Sequence, residues 1–554
     1  MVGTTIAVIG TTFIRLRSRL TGFLLRVAPM QPCRGTILWV DDEIELLHPH
    51  LLLLRQHGYT VDTSTSGEDA IELVQQRSYD LIFLDEMMIG MTGLETLEVL
   101  KEIAPHIPIV MVTKNEAETL MEEAIGRKID DYLTKPVNPT QILAACKKFV
   151  EARRITGQRL TQEYLHGFYT INRRLQEPLT WYDWLDIYLK LITWSMHIEQ
   201  HPELGLQETL AAQWRECNAA FGTFIEDAYA HWVQNPTGDD VPTLSPFVLD
   251  RFVLPRLSPE RPLVFILIDC LRLDQWLTIE ELLHPYYVIE RNYACSILPT
   301  ATMYARNAIF AGLFPLQIRQ YYPQWWNETD DEQSQNAYER QLLEAYLQRR
   351  RIELPGGISY VKIIDPAFGR KVEQELGRYL RHRLIAIVVN AVDMIVHSRS
   401  EVPILREIVP NEAAYRALTR SWFQHSNLFS ILRTLATTDP KPIIIITTDH
   451  GSIRCLRPLK AYGDRETTTN LRYKLGRNVR AETDRGVVRL RDPQQWQLPR
   501  SSVVTTMLIA KEDYYFVYPT DYHYYAQRYR DSFQHGGISL EEMIVPVAIL
   551  EPRP

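Results

Sequence analysis

The chain has 554 residues, 45% of them hydrophobic, and a formal net charge of -8 at pH 7. This length is enough for several domains with separate cores, and the negative charge argues against a protein that coats nucleic acid along its whole length. No stretch approaches the roughly 20 apolar residues that a membrane-spanning helix needs, so we expect no membrane partner.

The six cysteines are scattered along the chain and form no Cys-x-x-Cys pair. This pattern is typical of a protein in the reducing cytosol and argues against a disulfide framework or a cysteine zinc site. We therefore expect a cytoplasmic protein.

Residues 1–34 differ from the rest of the chain. The part before Met30 carries four arginines and no acidic residue. The arginines follow a short apolar stretch, which is opposite to the order in a secretory signal. We interpret the segment as a disordered extension, or as the result of a start placed upstream of Met30. A targeting or membrane-surface role is the alternative.

From residue 36 onward, short strands and helices alternate. Strands are predicted over 37–40, 59–64, 79–84 and 107–113, a further short run at 131–133 leads to Lys135, and helices are predicted over 47–57 and 67–77, with a last helix running to about Arg154. Repeated βα units of this length indicate a small doubly wound α/β domain, which we place at residues 35–155.

Polar residues close these strands, and they are Asp41, Asp42, Asp85, Thr113 and Lys135. Three carboxylates at one edge of a sheet repel one another unless a divalent cation neutralises them, and Mg²⁺ prefers such oxygen ligands. Asp85 could then attack a phosphoryl donor, with Lys135 and Thr113 contacting the phosphoryl oxygens.

This set of residues resembles the response-regulator receiver family over residues 36–154. The resemblance implies a CheY-like fold and phosphorylation of Asp85 by a sensor histidine kinase, with Thr113 and Tyr132 reporting the change. A pseudo-receiver that keeps the fold without the chemistry is the alternative.

The segment 156–255 has no strand-like runs. Its large apolar side chains recur at helical spacing, as in Trp181, Trp184, Leu185, Tyr188, Leu189 and Ile192. This periodicity indicates a helical bundle, in which the aromatic stripe forms the core.

In the last segment, 256–554, apolar strands end in carboxylates. The run 443–447 leads to Asp449 and His450, and the run 263–268 leads to Asp269. A third run from residue 384 ends at Asp393, and His397 follows four residues later, on the same face of a helix. Continuous apolar runs are typical of a parallel sheet buried on both faces, and ligands bind at the carboxyl ends of its strands. We therefore predict a large α/β domain with a divalent metal site.

A hydroxyl group is the candidate nucleophile of this domain. Thr300 and Thr302 both precede an apolar helix, whose N-terminus favours anions. A nearby divalent metal makes a threonine hydroxyl a more competent nucleophile.

These features, together with His535 in the sequence QHGGIS, resemble the PglZ domain of the alkaline-phosphatase superfamily. The resemblance implies two Zn²⁺ ions, one held by Asp393, His397 and His535. It implies that the other is held by Asp269, Asp449, His450 and the nucleophile's oxygen. In this superfamily a glycine closes the helix about ten residues after the nucleophile, so Gly312 favours Thr302 over Thr300.

The order of receiver, helical segment and PglZ domain resembles the PorX-like response regulators, a family linked to type IX secretion. The resemblance includes the blocks 463–477 and 534–546. It implies a cytoplasmic phosphodiesterase acting on cyclic or linear oligonucleotides, a phosphorylation-linked homodimer and a sensor kinase partner. An extracytoplasmic-function sigma factor is a further implied partner.

Two other functions fit the same residues. One is a non-catalytic signalling scaffold that binds a sigma factor or a secretion component, and the other is a phosphomonoesterase. The segment 454–480 is rich in basic residues and either contacts substrate phosphates or a partner protomer, or forms a solvated loop.

Overall fold

The computed structural model describes residues 34–114, 129–327, 336–463, 467–500 and 506–554. The expectations for residues 1–33 therefore lie outside the described residues. By their internal contacts the residues divide into two units, 1–160 and 161–554, which we call the receiver unit and the effector unit. Among the described residues, no helix combines the length and the apolar character needed to cross a membrane.

The receiver unit contains a five-stranded parallel sheet. Its strands are β1 (Gly35–Val40), β2 (Tyr59–Ser64), β3 (Leu81–Asp85), β4 (Ile109–Thr113) and β5 (Asp131–Thr134). They lie in the order β2-β1-β3-β4-β5, and every pairing is parallel. The described helices are α1 (His48–Gln56), α2 (Gly67–Gln76), α3 (Gly93–Ile103) and α4 (Pro139–Cys146).

Alternate residues of the receiver strands face opposite sides of the sheet and join two separate apolar cores. Ile37 and Trp39 belong to one core, and Leu38 and Val40 belong to the other. This is the CheY-like doubly wound fold that the alternating pattern predicts, and that prediction is confirmed.

Three long helices follow, α5 (Ala152–Arg174), α6 (Trp181–Gln200) and α7 (Gln207–Gln234). Thr180 and Asp183 form a capping box that begins α6. Trp184 of this helix is buried and packs its ring edge-to-face against Phe221 of α7. The predicted aromatic stripe therefore forms core, and the prediction of a helical segment is confirmed.

The effector unit is built around a six-stranded sheet. Its strands are β6 (Leu263–Ile268), β7 (Tyr287–Cys295), β8 (Ile358–Ile363), β9 (Leu384–Val389), β10 (Ile443–Thr447) and β19 (Ile544–Pro552). The order is β7-β19-β10-β6-β9-β8, and β10, β6, β9 and β8 are mutually parallel, as predicted. All five residues of β10 are buried, which explains its unbroken apolar sequence.

Helices connect these strands. They are α8 (Leu273–Glu280), α9 (Thr302–Ala311), α10 (Pro315–Tyr321), α11 (Glu339–Arg349), α12 (Pro366–Gln374), α13 (Leu376–Tyr379), α14 (Ala391–Glu401), α15 (Pro403–Ile408), α16 (Glu412–Gln424), α17 (Asn427–Thr437), α18 (Tyr522–Tyr529) and α19 (Leu540–Met543).

Short strands between β10 and β19 form small additional sheets that the sequence did not predict. They are β11 (Ile453–Cys455), β12 (Arg457–Tyr462), β13 (Tyr473–Gly476), β14 (Arg480–Ala481), β15 (Val487–Leu490), β16 (Thr506–Ala510), β17 (Tyr514–Val517) and β18 (Ser532–Gln534). β18 pairs with β11, the strand that follows β10 in the chain, and His535 comes directly after β18.

Candidate functional site

The receiver unit gathers three carboxylates at the carboxyl edge of its sheet. Asp41 and Asp42 follow β1, and Asp85 ends the neighbouring strand β3. Each of the three offers a carboxylate oxygen, and these oxygens all lie within 4.8 Å of one another. Asp41 and Asp85 are buried. Clustered carboxylates with little access to water suit a divalent cation.

A lysine and a threonine complete this cluster. Lys135 Nζ donates to Asp41 Oδ2 at 2.8 Å and to Asp85 Oδ2 at 2.9 Å. Thr113 ends β4, and its hydroxyl donates to Glu86. Burial raises the pKa of Asp85, Lys135 opposes this shift, and the negative charge of Asp41 adds to it. The five residues predicted from the sequence therefore lie at one edge of the sheet.

In the effector unit, one candidate metal cluster consists of Asp269, Asp449 and His450. Each offers a ligand atom within 4.8 Å of the others, and all three are buried. They lie together because β6 and β10 are adjacent parallel strands that end at the same edge. Burial and the neighbouring Asp449 charge raise the pKa of Asp269, although Arg306 opposes the shift. Two buried carboxylates side by side favour a bound cation.

A second cluster consists of Asp393, His397 and His535, again with ligand atoms within 4.8 Å. Asp393 lies in the first turn of α14, and its Oδ1 is 3.3 Å from His397 Nε2 one turn later. His535 Nε2 approaches the same oxygen at 3.6 Å. Burial works against ionisation of Asp393, but the hydrogen bond and charge of His397, with the two other histidines, lower its pKa to about 2.

The two clusters adjoin each other. The rings of His450 and His535 stack with their centres 4.3 Å apart. Burial, with His450 nearby, lowers the pKa of His535 to about 3, so its imidazole is neutral, the form that binds metals. Asp269 Oδ1 and His535 Nδ1 are buried and make no hydrogen bond with any described group. A buried carboxylate oxygen and a buried imidazole nitrogen without hydrogen-bond partners are suitable ligand atoms for divalent cations. Because one of them lies in each cluster, they fit a pair of such cations.

The two candidate threonines lie in different environments. Thr302 is the first residue of α9, and its Oγ1 lies 3.1 Å from His450 Nε2. Thr300 Oγ1 instead donates to the Gly537 carbonyl at 2.8 Å and accepts from the Gly536 amide at 3.1 Å. Gly312 ends α9 in the left-handed conformation that favours glycine. The geometry therefore brings Thr302, and not Thr300, to the candidate metal clusters.

Arg306 is a residue of this site that the sequence analysis missed. It lies one turn after Thr302 on α9 and is fully buried. Its Nε donates to Asp449 Oδ2 at 2.9 Å, and its guanidinium also pairs with Asp269 and with Glu339. A single arginine in the otherwise mostly apolar sequence TMYARNAIFA was the signal that could have found it.

Two basic residues of the segment 454–480 are buried, Arg472 and Lys474. Arg472 binds both oxygens of Glu542. Glu542 also accepts from the Gly537 amide at 2.8 Å, in the turn that follows His535, so Arg472 supports this turn from inside. Lys474 Nζ instead donates to the Thr468 and Thr469 carbonyls at 3.0 and 3.1 Å. For these two residues the expectation of a solvated loop is wrong.

A cavity of about 680 Å³ opens onto the two clusters. Its walls include Asp269, Thr302, Asp393 and His397 from the predicted set. Arg306, Glu339, Tyr360 and Lys362 also line it, and the sequence analysis had named none of them.

Comparison with known protein families agrees with this architecture. The model of the BREX system PglZ alkaline phosphatase-like domain matches residues 248–550, which is more than half of the chain. The chain belongs to the PglZ family. The response regulator receiver domain matches residues 37–147, and the PorX response regulator linker domain matches residues 154–233. This PglZ protein is thus a PorX-like response regulator. Receiver domains and alkaline phosphatase-like domains generally bind divalent metals.

Similar curated proteins match the receiver alone. The alginate biosynthesis transcriptional regulatory protein AlgB of Pseudomonas aeruginosa is 35% identical over 125 residues, covering 23% of this chain and 28% of that protein. The transcriptional regulatory protein ZraR of Salmonella typhimurium is 34% identical over 124 residues, covering 22% of this chain and 28% of its own. The chain spans little more than a quarter of the length of these relatives.

Similar solved structures are also receiver domains. A CheY-like receiver domain protein from Methanospirillum hungatei JF-1 is 25% identical and covers 22% of this chain and 97% of its own, with a TM-score of 0.21. A response regulator from Chloroflexus aurantiacus J-10-fl is also 25% identical and covers 22% and 99%, with a TM-score of 0.21.

Proposed function

We propose that the PglZ domain of this response regulator is a zinc-dependent phosphodiesterase that acts on cyclic or linear oligonucleotides. The observation that carries the proposal is the position of Thr302 Oγ1, 3.1 Å from His450 Nε2, in a cavity that residues of both candidate metal clusters line. A structural metal site needs no such hydroxyl. We further propose that phosphorylation of Asp85 controls the activity.

The ligand residues of the two candidate clusters support zinc as the bound metal. One ion would be held by Asp393, His397 and His535, and the other by Asp269, Asp449, His450 and the Thr302 hydroxyl. Mixed carboxylate and imidazole ligands suit zinc better than magnesium. When bound, two such cations supply electrostatic stabilisation of the attacking and leaving oxygens of an in-line displacement.

The chain's own groups define the reaction around Thr302. In the first step Thr302 Oγ loses its proton to solvent and forms a bond to phosphorus, while the bond from phosphorus to one ester oxygen breaks and that oxygen leaves as an alcohol after taking up a proton. Water then attacks phosphorus, the bond from phosphorus to Thr302 Oγ breaks, and a phosphomonoester is released as the hydroxyl regains its proton. The start of α9 places Thr302 where backbone N–H groups and the helix dipole favour a phosphate. Arg306, held by Asp449 and Glu339, supplies positive charge one turn along the same helix.

The size of the cavity is compatible with a diester. A volume of about 680 Å³ leaves room for substituents on both ester oxygens of the phosphate. A phosphomonoesterase remains the second enzymatic candidate because it uses the same metals.

The receiver supports a role for Mg²⁺, which Asp41, Asp42 and Asp85 would hold. Lys135 contacts Asp85 and would neutralise an added phosphoryl group. We propose a sensor histidine kinase as the phosphate source and phosphorylation-linked homodimerisation as the response.

A cytoplasmic location, a role in type IX secretion and binding of an extracytoplasmic-function sigma factor belong to the same proposal. So does the division into an extension (1–34), receiver (35–155), helical bundle (156–255) and PglZ domain (256–554).

The test compares hydrolysis of bis-p-nitrophenyl phosphate and p-nitrophenyl phosphate by the zinc-loaded full chain. The proposal expects the diester to be the better substrate, and expects Thr302→Ala to lower its turnover by at least about 10³-fold. Thr302→Ser keeps a hydroxyl and serves as the matched variant that retains activity. Preference for the monoester would favour the phosphomonoesterase. No turnover of either ester by the wild type would favour the non-catalytic scaffold.

A further inference from the structure

Lys362 lies in the catalytic cavity but outside the candidate metal clusters. It is near the carboxyl end of β8, and the strand order β6-β9-β8 separates this end from Asp269 at the end of β6 by two strand spacings. At about 4.8 Å per spacing, the two strand ends lie roughly 10 Å apart. Lys362 and Thr302 nevertheless line the same cavity.

A buried carboxylate holds the ammonium of Lys362. Lys362 Nζ donates to Glu339 Oε2 at 3.0 Å and to the Asn336 carbonyl at 3.2 Å. Glu339 is itself buried, and its other oxygen, Oε1, lies 3.3 Å from Arg306 Nη1. A chain of contacts thus runs from Asp269 through Arg306 and Glu339 to Lys362. The lysine side chain keeps a quarter of its surface exposed.

The ammonium of Lys362 has more donors than the two contacts that hold it use. Two of its three N–H groups meet acceptors, Glu339 Oε2 and the Asn336 carbonyl. Two described carboxylates of this wall lie outside the proposed zinc ligands, Glu339 and Asp365, and Asp365 Oδ1 caps α12 by accepting from the Phe368 amide. Their charges match those of Arg306 and Lys362, so the further donor of Lys362, and not a net positive charge, favours a phosphate here.

Exposed apolar side chains lie beside this wall. Ile364 follows Lys362 on the way out of β8, and Met394 follows the candidate ligand Asp393. Both line the cavity, and they are 55% and 52% exposed. Exposed apolar surface beside a cation suits a sugar or base attached to phosphate better than an inorganic polyphosphate.

We infer that Lys362 forms a second phosphate subsite in the cavity. The substrate would then carry one phosphate that reacts at Thr302 and another, unreacted phosphate at Lys362. The inference rests on the proposed phosphodiesterase function and narrows its substrate class. That class is nucleotide chains or rings with at least two phosphates.

Binding to the zinc-loaded full chain tests the subsite without turnover. Isothermal titration compares adenosine 3′,5′-bisphosphate with adenosine 5′-monophosphate, which differ by one phosphate. We expect the wild type to bind the bisphosphate at least about tenfold more tightly, because hydrogen bonds to a charged group contribute this much or more. Equal affinity of the wild type for the two nucleotides would overturn the inference.

Substitutions test whether Lys362 causes the preference for the bisphosphate over the monophosphate. Lys362→Gln removes the charge but keeps a donor for Glu339, and it should bring the affinity ratio close to one. Lys362→Arg should keep most of the ratio. Lys371→Gln, which removes an exposed lysine on α12 outside the cavity, should keep all of it. A Lys362→Gln variant that retains the wild-type ratio would contradict the subsite.

The same preparation separates this inference from the proposed function. Wild-type protein that prefers the bisphosphate through Lys362 but hydrolyses no ester would refute the phosphodiesterase and leave the subsite standing. Hydrolysis of bis-p-nitrophenyl phosphate without any bisphosphate preference would refute the subsite and leave the phosphodiesterase standing.

Discussion

Arg306 Nε lies 2.9 Å from Asp449 Oδ2, and both side chains are fully buried. The same guanidinium pairs with Asp269 and Glu339, so one arginine serves three buried carboxylates. Removing one partner of a buried ion pair is far more costly than removing an exposed pair, because the remaining charges lose their compensation. Arg306 therefore supports the geometry of the site as well as its charge.

Replacing this arginine should destabilise the effector unit. We expect Arg306→Met to lower its free energy of unfolding by about 3–5 kcal/mol in the presence of a chelator. The measurement is urea denaturation, following the transition of the effector unit. Arg340→Met is the control, because Arg340 is exposed and its pair with Glu344 on α11 contributes little. Equal stability of the two variants would show that the buried network does not support the fold.

Gly451 gives a second prediction, about the strand end that carries Asp449 and His450. A Cβ atom at this position would lie 2.0 Å from the backbone oxygen of Glu541. Backbone cannot yield as a flexible side chain can, so Gly451→Ala should displace the two ligands and lower zinc content as well as stability. Gly377→Ala, with no atom within 4 Å of the added Cβ, should leave both unchanged. Zinc analysis and thermal melting of the two variants make the comparison, and full zinc content in Gly451→Ala would contradict it.

Substitutions of Thr300 and Thr302 should impair different properties of the protein. Thr300 holds the Gly536–Gly537 turn after His535 through two hydrogen bonds, so Thr300→Val should cost about 1–3 kcal/mol of stability. It should also weaken zinc binding at Asp393, His397 and His535. Thr302→Ala should leave stability nearly unchanged and remove turnover instead. If Thr300→Val alone abolished turnover with stability and zinc content intact, the assignment of the nucleophile would be wrong.

The buried carboxyl group of Glu541 should make the stability of the protein depend on pH. Burial is the main cause that raises its pKa from 4.5 to about 7, and Arg272 opposes the shift only in part. The folded chain therefore binds a proton that the unfolded chain releases between pH 4.5 and 7. This group's contribution to stability, up to about 3 kcal/mol, is present below pH 4.5 and is lost as the pH rises through 7.

Glu541→Gln tests this directly, because the amide oxygen can still accept from Asn218 Nδ2, which lies 3.0 Å from Glu541 Oε2. The change in unfolding free energy between pH 5 and pH 8 should be smaller in the variant by about 2.5 kcal/mol. Glu208→Gln, at an exposed glutamate on α7, should leave the pH dependence as in the wild type. An unchanged pH dependence in Glu541→Gln would refute the assignment.

The receiver unit should be phosphorylated at one position, Asp85. Incubation with acetyl phosphate and Mg²⁺ should add one phosphoryl group to the wild type, and none to Asp85→Asn, as measured by intact mass. Asp62→Asn is a suitable control, because Asp62 on β2 lies outside the carboxylate cluster. Phosphoryl transfer to Asp85→Asn would place the acceptor elsewhere.

The sequence predicted the parts of the site that parallel strands bring together. Asp269 and Asp449 could be found because each ends an unbroken apolar run, and adjacent parallel strands end at one edge of a sheet. Asp393 and His397 could be found from the apolar run that precedes them and from their helical spacing, although the strand ends at Val389 and Asp393 lies in the first turn of α14. In each case a short sequence pattern is enough to identify the residues.

Other parts depend on contacts between distant residues and were missed. Arg472 binds Glu542, 70 positions away, and nothing in the basic composition of its segment distinguishes a buried arginine from an exposed one. Glu339 and Lys362 meet through the arrangement of α11 and β8. The strands between β10 and β19 are only two to six residues long, too short for a periodic signal.

The central claim is that two zinc ions lie beside Thr302, and anomalous scattering at the zinc edge from crystals of the full chain tests it most directly. The account predicts two peaks per chain, one about 2.0–2.2 Å from ligand atoms of Asp393, His397 and His535, and one at the same distance from Asp269, Asp449 and His450. Zinc-loaded crystals with no peak at either cluster, or with peaks bound only elsewhere, would contradict it.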